Sequence, residues 1–324
     1  MRAWLLAAAL AIVPIAAPAA EPQAGDAMAW LQRIATAART LNYSGTFIYE
    51  HGGRAESSRI VHFVDASGNE MERLESLDGP PREVIRNNDE VKCYLSESRT
   101  VKIEKRRPGK AFPSLLPQQL SSVAENYTVR LAGQERVAGM DCQLLVLEPK
   151  DGLRYGHRLW ADAATGLLVK AVMVNDKGQP VEQFKFTQLS IGAAIDREML
   201  KPRASSGGGE WHEERPSQSV EGDSGWFIRN QPAGFKKIME TRRDLPGKSA
   251  PVTHIVISDG LVAVSVFIEP MPRGDKILSG LSSQGAINVF TRPLGGHLVT
   301  VLGEAPPATV VQIGNSVTAR AAKQ

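Results

Sequence analysis

The feature that most constrains this chain is a succession of strand-length segments between residues 43 and 189, each ended by a tight-turn signal. Residues 45–51 alternate, with Phe47 and Tyr49 on one face and Thr46, Ile48 and Glu50 on the other. Segments 59–65 and 70–77 flank Ala66-Ser67-Gly68-Asn69. Asp78-Gly79-Pro80-Pro81 and Asn87-Asn88-Asp89 set off 83–86 and 91–95. Further segments at 128–134, 142–148, 154–162 and 167–175 lead through Asp176-Lys177-Gly178 to 181–189. Period-two alternation punctuated in this way predicts one large antiparallel sheet. Such a sheet must cover one face. Two helices are available for that. One spans 26–42, with Met28, Leu31, Ile34, Ala35, Ala38 and Leu41 at helical spacing; a shorter one spans 113–123. A curled sheet over helices leaves a concave apolar cavity, and an up-and-down sandwich is the alternative.

The tract Ala204-Ser205-Ser206-Gly207-Gly208-Gly209 opens a polar stretch that runs to Asp223, a flexible connector by composition. The block beyond it reads as a small α+β unit. Segments 252–258 and 261–269 form a hairpin around Asp259-Gly260, and 286–291 pairs with 297–303 around Pro293-Leu294-Gly295-Gly296. Pro306-Pro307 opens a last helix that packs through Val310, Val311, Ile313, Gly314 and Val317. The expected organisation is a leader at 1–20, a large domain at 21–203, the connector at 204–223 and a small domain at 224–324.

The leader joins Arg2, an apolar run over 5–15 and Ala16-Ala17-Pro18-Ala19-Ala20, the pattern of an export signal cut after Ala19 or Ala20. A membrane anchor is the competing reading, but the run is shorter than the ~20 residues a spanning helix needs. The mature chain is expected to be exported and soluble. In an oxidising compartment the two cysteines, Cys93 and Cys142, favour a disulfide over a pair of buried thiols.

Chemistry is harder to find. A formal net charge of +3 is too small to imply nucleic acid binding. Gly222-Asp223-Ser224-Gly225 resembles a serine-protease nucleophile motif, but no histidine context accompanies it, and it reads as the connector's end. Trp211-His212-Glu213-Glu214 lacks the second histidine that a helical zinc site needs, so neither metal nor cofactor is expected. Two basic clusters are candidates for anions or acidic peptides: Lys105, Arg106 and Arg107 (with Lys102 and Lys110), and Lys236, Lys237, Arg242 and Arg243 (with Lys248). The plainer reading of each is a solvated basic loop whose charge guards an edge strand. Phe47, Tyr49, Leu167, Val169, Phe184 and Phe186 are candidates for the lining of a lipid-sized pocket, against the plainer reading that they are core.

With these residues assembled, the chain resembles the MucB/RseB family. The resemblance rests on Tyr43-Ser44-Gly45-Thr46-Phe47-Ile48-Tyr49-Glu50, Leu77-Asp78-Gly79-Pro80-Pro81-Arg82-Glu83-Val84 and Arg154-Tyr155-Gly156-His157. It continues through Glu182-Gln183-Phe184-Lys185-Phe186-Thr187-Gln188-Leu189, Asp259-Gly260-Leu261, Ser265-Val266-Phe267-Ile268-Glu269-Pro270 and Val299-Thr300-Val301-Leu302-Gly303-Glu304. The resemblance implies an unclosed antiparallel barrel over helices, like the lipoprotein carriers, with a smaller α+β domain. It also implies a periplasmic, non-enzymatic regulator of the envelope-stress sigma factor. Such a protein binds the periplasmic part of a transmembrane anti-sigma factor, protects it from proteolysis, and is released by lipopolysaccharide or a related lipid. A lipid or lipoprotein carrier with no regulatory partner is the alternative, and homo-oligomerisation is left open.

Overall fold

The computed structural model describes residues 24–105, 115–117, 120–203, 210–215, 220–244, 250–271 and 279–320. The expected export signal, Arg106 and Arg107 lie outside the described residues.

The large domain opens with α1 (Ala24–Thr40), followed by β1 (Tyr43–His51), β2 (Arg54–Val64), β3 (Glu70–Ser76), β4 (Arg82–Asn87), β5 (Glu90–Leu95) and β6 (Thr100–Lys105). After α2 (Ser121–Asn126) come β7 (Tyr127–Val137), β8 (Met140–Pro149), β9 (Gly156–Asp162), β10 (Leu168–Val174) and β11 (Pro180–Ile191). A 3₁₀ turn over Arg197–Leu200 leads to β12 (His212–Glu214). These strands form one twelve-stranded sheet in the order β12-β6-β5-β4-β3-β2-β1-β11-β10-β9-β8-β7. It is two meanders joined along β1 and β11, and its two edges do not meet. All pairs are antiparallel except β12 with β6.

Helix α1 buries Leu31, Ile34, Ala35 and Ala38 of the stripe read from the sequence against the inner face of the sheet, with Met28 and Leu41 of that stripe partly buried and Ala27 added. Asp26 falls in its first turn, where a negative charge suits the helix dipole. Gly45 explains how β1 and β11 approach so closely. A Cβ there would meet the Gln188 carbonyl oxygen and come within 2.9 Å of the Phe186 ring, next to a bulge at Thr46/Phe47. Three expectations need correction. The second helix starts at Ser121 rather than in the 113 region. Segment 100–105, read as part of a basic loop, is strand β6, with Val101 and Ile103 buried. Cys93 on β5 and Cys142 on β8 are free thiols, set eight positions apart in the strand order, so no disulfide joins them.

The chain leaves β11 and crosses the outer face of the sheet. Arg197 stacks over Phe63 at 5.6 Å, the Arg203 amide donates to Glu83 at 2.8 Å, and Trp211 meets the edge of Tyr94 at 5.6 Å before β12 zips onto β6. The smaller domain comprises β13 (Val220–Glu221), β14 (Trp226–Ile228), β15 (Lys236–Arg243), β16 (Val252–Ser258), β17 (Ala263–Pro270), β18 (Gly280–Gln284), β19 (Ile287–Leu294), β20 (His297–Gly303), α3 (Pro307–Ser316) and β21 (Val317–Ala319). Its seven-stranded sheet runs β13-β15-β16-β17-β20-β19-β18, and β14 pairs with β21. α3 buries Val310, Ile313 and Gly314 over β19 and β20, as its spacing predicted. The β19–β20 turn is Gly295-Gly296, both in the left-handed region that a two-residue hairpin demands.

Candidate functional site

The inner face of the sheet is sealed by α1 over part of its length and open over the rest. The open part is a cavity of about 350 Å³ between the two domains. Its apolar wall comes from alternating positions on β1, β11, β10 and β9, namely Phe47, Tyr49, Phe184, Ala171 and Leu159, with Leu115 and Leu116 on the other side. The three phenylalanines Phe47, Phe184 and Phe186 pack edge to face, with centroids 5.7–6.5 Å apart. The small domain contributes Leu261 and Glu304. Polar members of the lining include Glu56, Arg82 and Glu182, of which Glu56 and Arg82 are exposed. Burial raises the Tyr49 phenol far above its ordinary value, and the adjacent Glu182 carboxylate, its hydrogen-bond partner, adds to this. Tyr49 is therefore a neutral donor in the wall.

A buried latch joins the two domains two residues away from Leu261 of the cavity wall. Arg154, just ahead of β9, and Asp259, in the loop between β16 and β17, both have fully buried side chains. Arg154 Nε donates to Asp259 Oδ2 at 2.5 Å. The rest of the guanidinium pairs with Asp151 and the Ala233 carbonyl oxygen and lies 4.9 Å over the Phe235 ring. Asp259 Oδ1 accepts from the amides of Leu261 (3.0 Å) and Val262 (2.8 Å). This side-chain cap explains a further departure from expectation. The hairpin turn spans 259–262 rather than two residues, with Ser258 paired to Ala263. Gly260 is in the left-handed region, and a Cβ there would collide with Ser122 of α2. Tyr155 adds a hydrogen bond from Asn288 at 3.0 Å, and Thr309 donates to the Leu153 carbonyl at 2.8 Å. The segment Leu153-Arg154-Tyr155 thus docks the small domain residue by residue.

Of the six expected lining residues, Phe47, Tyr49 and Phe184 line the cavity. Phe186, Leu167 and Val169 do not. They are fully buried in the closed core with α1 residues, because the helix covers their part of the sheet. Lys105 is exposed at the end of β6, away from the lining. Lys236, Lys237 and Arg242 are exposed on β15, Lys237 pairs with Glu240, and Arg243 is half-buried at the strand's end. Ser224 donates to Glu240 at 2.5 Å as part of a turn. Sequence reasoning missed Arg154, Asp259 and Leu261 as a unit, although Arg154-Tyr155-Gly156-His157 and Asp259-Gly260-Leu261 both stood out.

The profile of the MucB/RseB N-terminal domain matches residues 26–204, and that of the MucB/RseB C-terminal domain matches 220–318. The chain is 34% identical to the sigma factor AlgU regulatory protein MucB of Pseudomonas aeruginosa, over 93% of this chain and 94% of that one. It is 25% identical to the sigma-E factor regulatory protein RseB of Escherichia coli K12, over 91% of each. A crystal structure of MucB in complex with MucA(peri) superposes with a TM-score of 0.76 at 33% identity, covering 92% of this chain and all of that one. A crystal structure of MucB gives 0.64 at 31% identity, covering 91% and 98%. Both of its domains match, and the chain belongs to the MucB/RseB family.

Proposed function

We propose that this protein is a periplasmic binding regulator. It holds the periplasmic segment of a transmembrane anti-sigma factor and protects that segment from regulated proteolysis. It lets go when an acyl chain, lipopolysaccharide among the candidates, enters the inter-domain cavity. The observation that carries this reading is the likeness over both domains to MucB in complex with MucA(peri). The cavity supports the lipid step. Its wall is mainly apolar, and its volume lies at the lower end of the ~300–1,000 Å³ usual for small-molecule sites. It suits a single chain better than a multi-chain lipid swallowed whole.

Release follows from linkage. A ligand that fits only the partner-free arrangement weakens the partner by the same coupling free energy. The connector 204–223 is the proposed hinge, with residues 212–214 held on β6. Lys236, Lys237, Arg242 and Arg243 are the proposed contacts for an acidic partner segment, and the 105–107 run is proposed for lipid phosphates. The test is capture of the mature chain on an immobilised anti-sigma periplasmic domain, then elution with purified lipopolysaccharide. No capture overturns the regulatory reading, and capture indifferent to lipid overturns the release step.

A further inference from the structure

Leu261 belongs by sequence to the small domain, yet it is 4% exposed and packs into the large domain's core cluster. It lines the inter-domain cavity, and with Glu304 it also lines a second cavity, of about 330 Å³, on the small domain. The second cavity is walled by Ile238, His254, Val256 and Ile287. Leu261 therefore separates two spaces. Two residues earlier stands Asp259, whose one carboxylate holds the Leu261 and Val262 amides through Oδ1 and Arg154 through Oδ2. The side chain that fixes this turn is therefore also the latch, which couples the Leu261 backbone to the Arg154–Asp259 pair.

We propose that the turn 259–262 is the transmitting element between cavity and domain arrangement. An acyl chain that outgrows the open volume of about 350 Å³ and takes the space filled by Leu261 drives out Leu261 and draws Asp259 off Arg154, so a chain reaching that far and the latched arrangement exclude each other. The inference rests on the lipid-released regulator proposed above and names the part that carries the signal. The electrostatics make the switch reversible. Removing one partner of a buried ion pair strands a bare charge, whereas opening the latch returns both charges to water together, which offsets much of the lost attraction. That offset lowers the cost of the second arrangement a two-state element requires.

The experiment uses the mature chain, lauric acid below its micelle concentration as the probe, calorimetric titration for affinity and small-angle scattering for overall shape. In the unmodified protein, lauric acid binds and the radius of gyration rises. Asp259→Asn keeps the Oδ1 cap but turns an amide toward Arg154; it is expected to be expanded without ligand and to bind lauric acid at least about tenfold tighter. Leu261→Ala empties the contested space while leaving the latch. It is expected to bind about tenfold tighter with no expansion on binding, a split that decides the matter even if the Asn variant fails to fold. Binding by the unmodified protein with unchanged shape, or unchanged affinity in both variants, overturns the turn's role; no binding in any of the three overturns it as well. Binding and expansion without release of the anti-sigma segment overturns the functional reading alone.

Discussion

Replacing Arg154 with methionine keeps an unbranched apolar stem and removes the guanidinium with its charge. The Asp259 carboxylate, with no exposed surface, keeps two backbone amides but loses its counter-ion, and the Ala233 carbonyl loses its donor. Breaking a buried pair from one side costs about 3–5 kcal/mol, against the ~0–1 kcal/mol of an exposed pair. Loss of the contact over Phe235 adds to this, and relaxation of the turn into water subtracts from it, so a net loss of about 3 kcal/mol in the docked arrangement is the working figure. A domain of this size shifts by ~4–8 °C per kcal/mol, so scanning calorimetry should show the small domain melting at least about 10 °C earlier and apart from the large one. Adding Asp259→Asn to the methionine variant should recover much of the loss, because no charge is then left stranded. A shift of a degree or two, or a double variant no better than the sum of the singles, would refute the assignment of Arg154–Asp259 as the main inter-domain bond.

Three further outcomes are expected. Ala171→Phe projects a ring into the cavity between Phe184 and Leu159 and should abolish lauric acid binding in the same titration while capture on the anti-sigma segment persists. Gly45→Ala sets a methyl against Gln188 and Phe186 at the junction of the two meanders and should lower stability by ~1–3 kcal/mol, read as an earlier urea midpoint. Burial opposes ionisation of Glu240, but hydrogen bonds from Lys237 and Ser224 prevail and hold its carboxyl below the usual range. Its stabilising contribution is therefore present above the unfolded value of about 4.3 and is lost as pH falls through the folded one, so the advantage over Glu240→Gln should shrink on acidification below about pH 4 in pH-dependent denaturation.

What was legible in the sequence was whatever local spacing encodes. The alternation of Phe47 and Tyr49, the Gly295-Gly296 turn and the faces of α1 and α3 all survive in the structure because each depends on residues a few positions apart. β6 was hidden by its charge: Lys102 and Glu104 alternate with the buried pair Val101 and Ile103, and Lys105 at the strand's end continues into the basic run. Leu167 and Val169 obey the same pattern as Phe184, and only the placement of α1, a long-range fact, decides which are core and which are wall. An even cysteine count carries no information on separation, so Cys93 and Cys142 misled. The latch was invisible for a different reason. Arg154 and Asp259 stand 105 positions apart, and Asp-Gly reads as an ordinary turn unless one knows that a guanidinium waits for its second oxygen.

The anchoring of β12 on β6 sets a leash. From Glu214, the last residue zipped to the large sheet, to Val220, the first paired in the small one, the chain can extend to at most about 20 Å. However far the latch opens, the small domain stays within that radius of the β6 edge for as long as the zip holds. Re-docking is then an encounter within one molecule, at the millimolar effective concentrations that short tethers confer, and does not depend on how dilute the protein is. On the proposed release step, a signal that opens the latch is erased as soon as its ligand departs, with no partner needed to bring the halves back together.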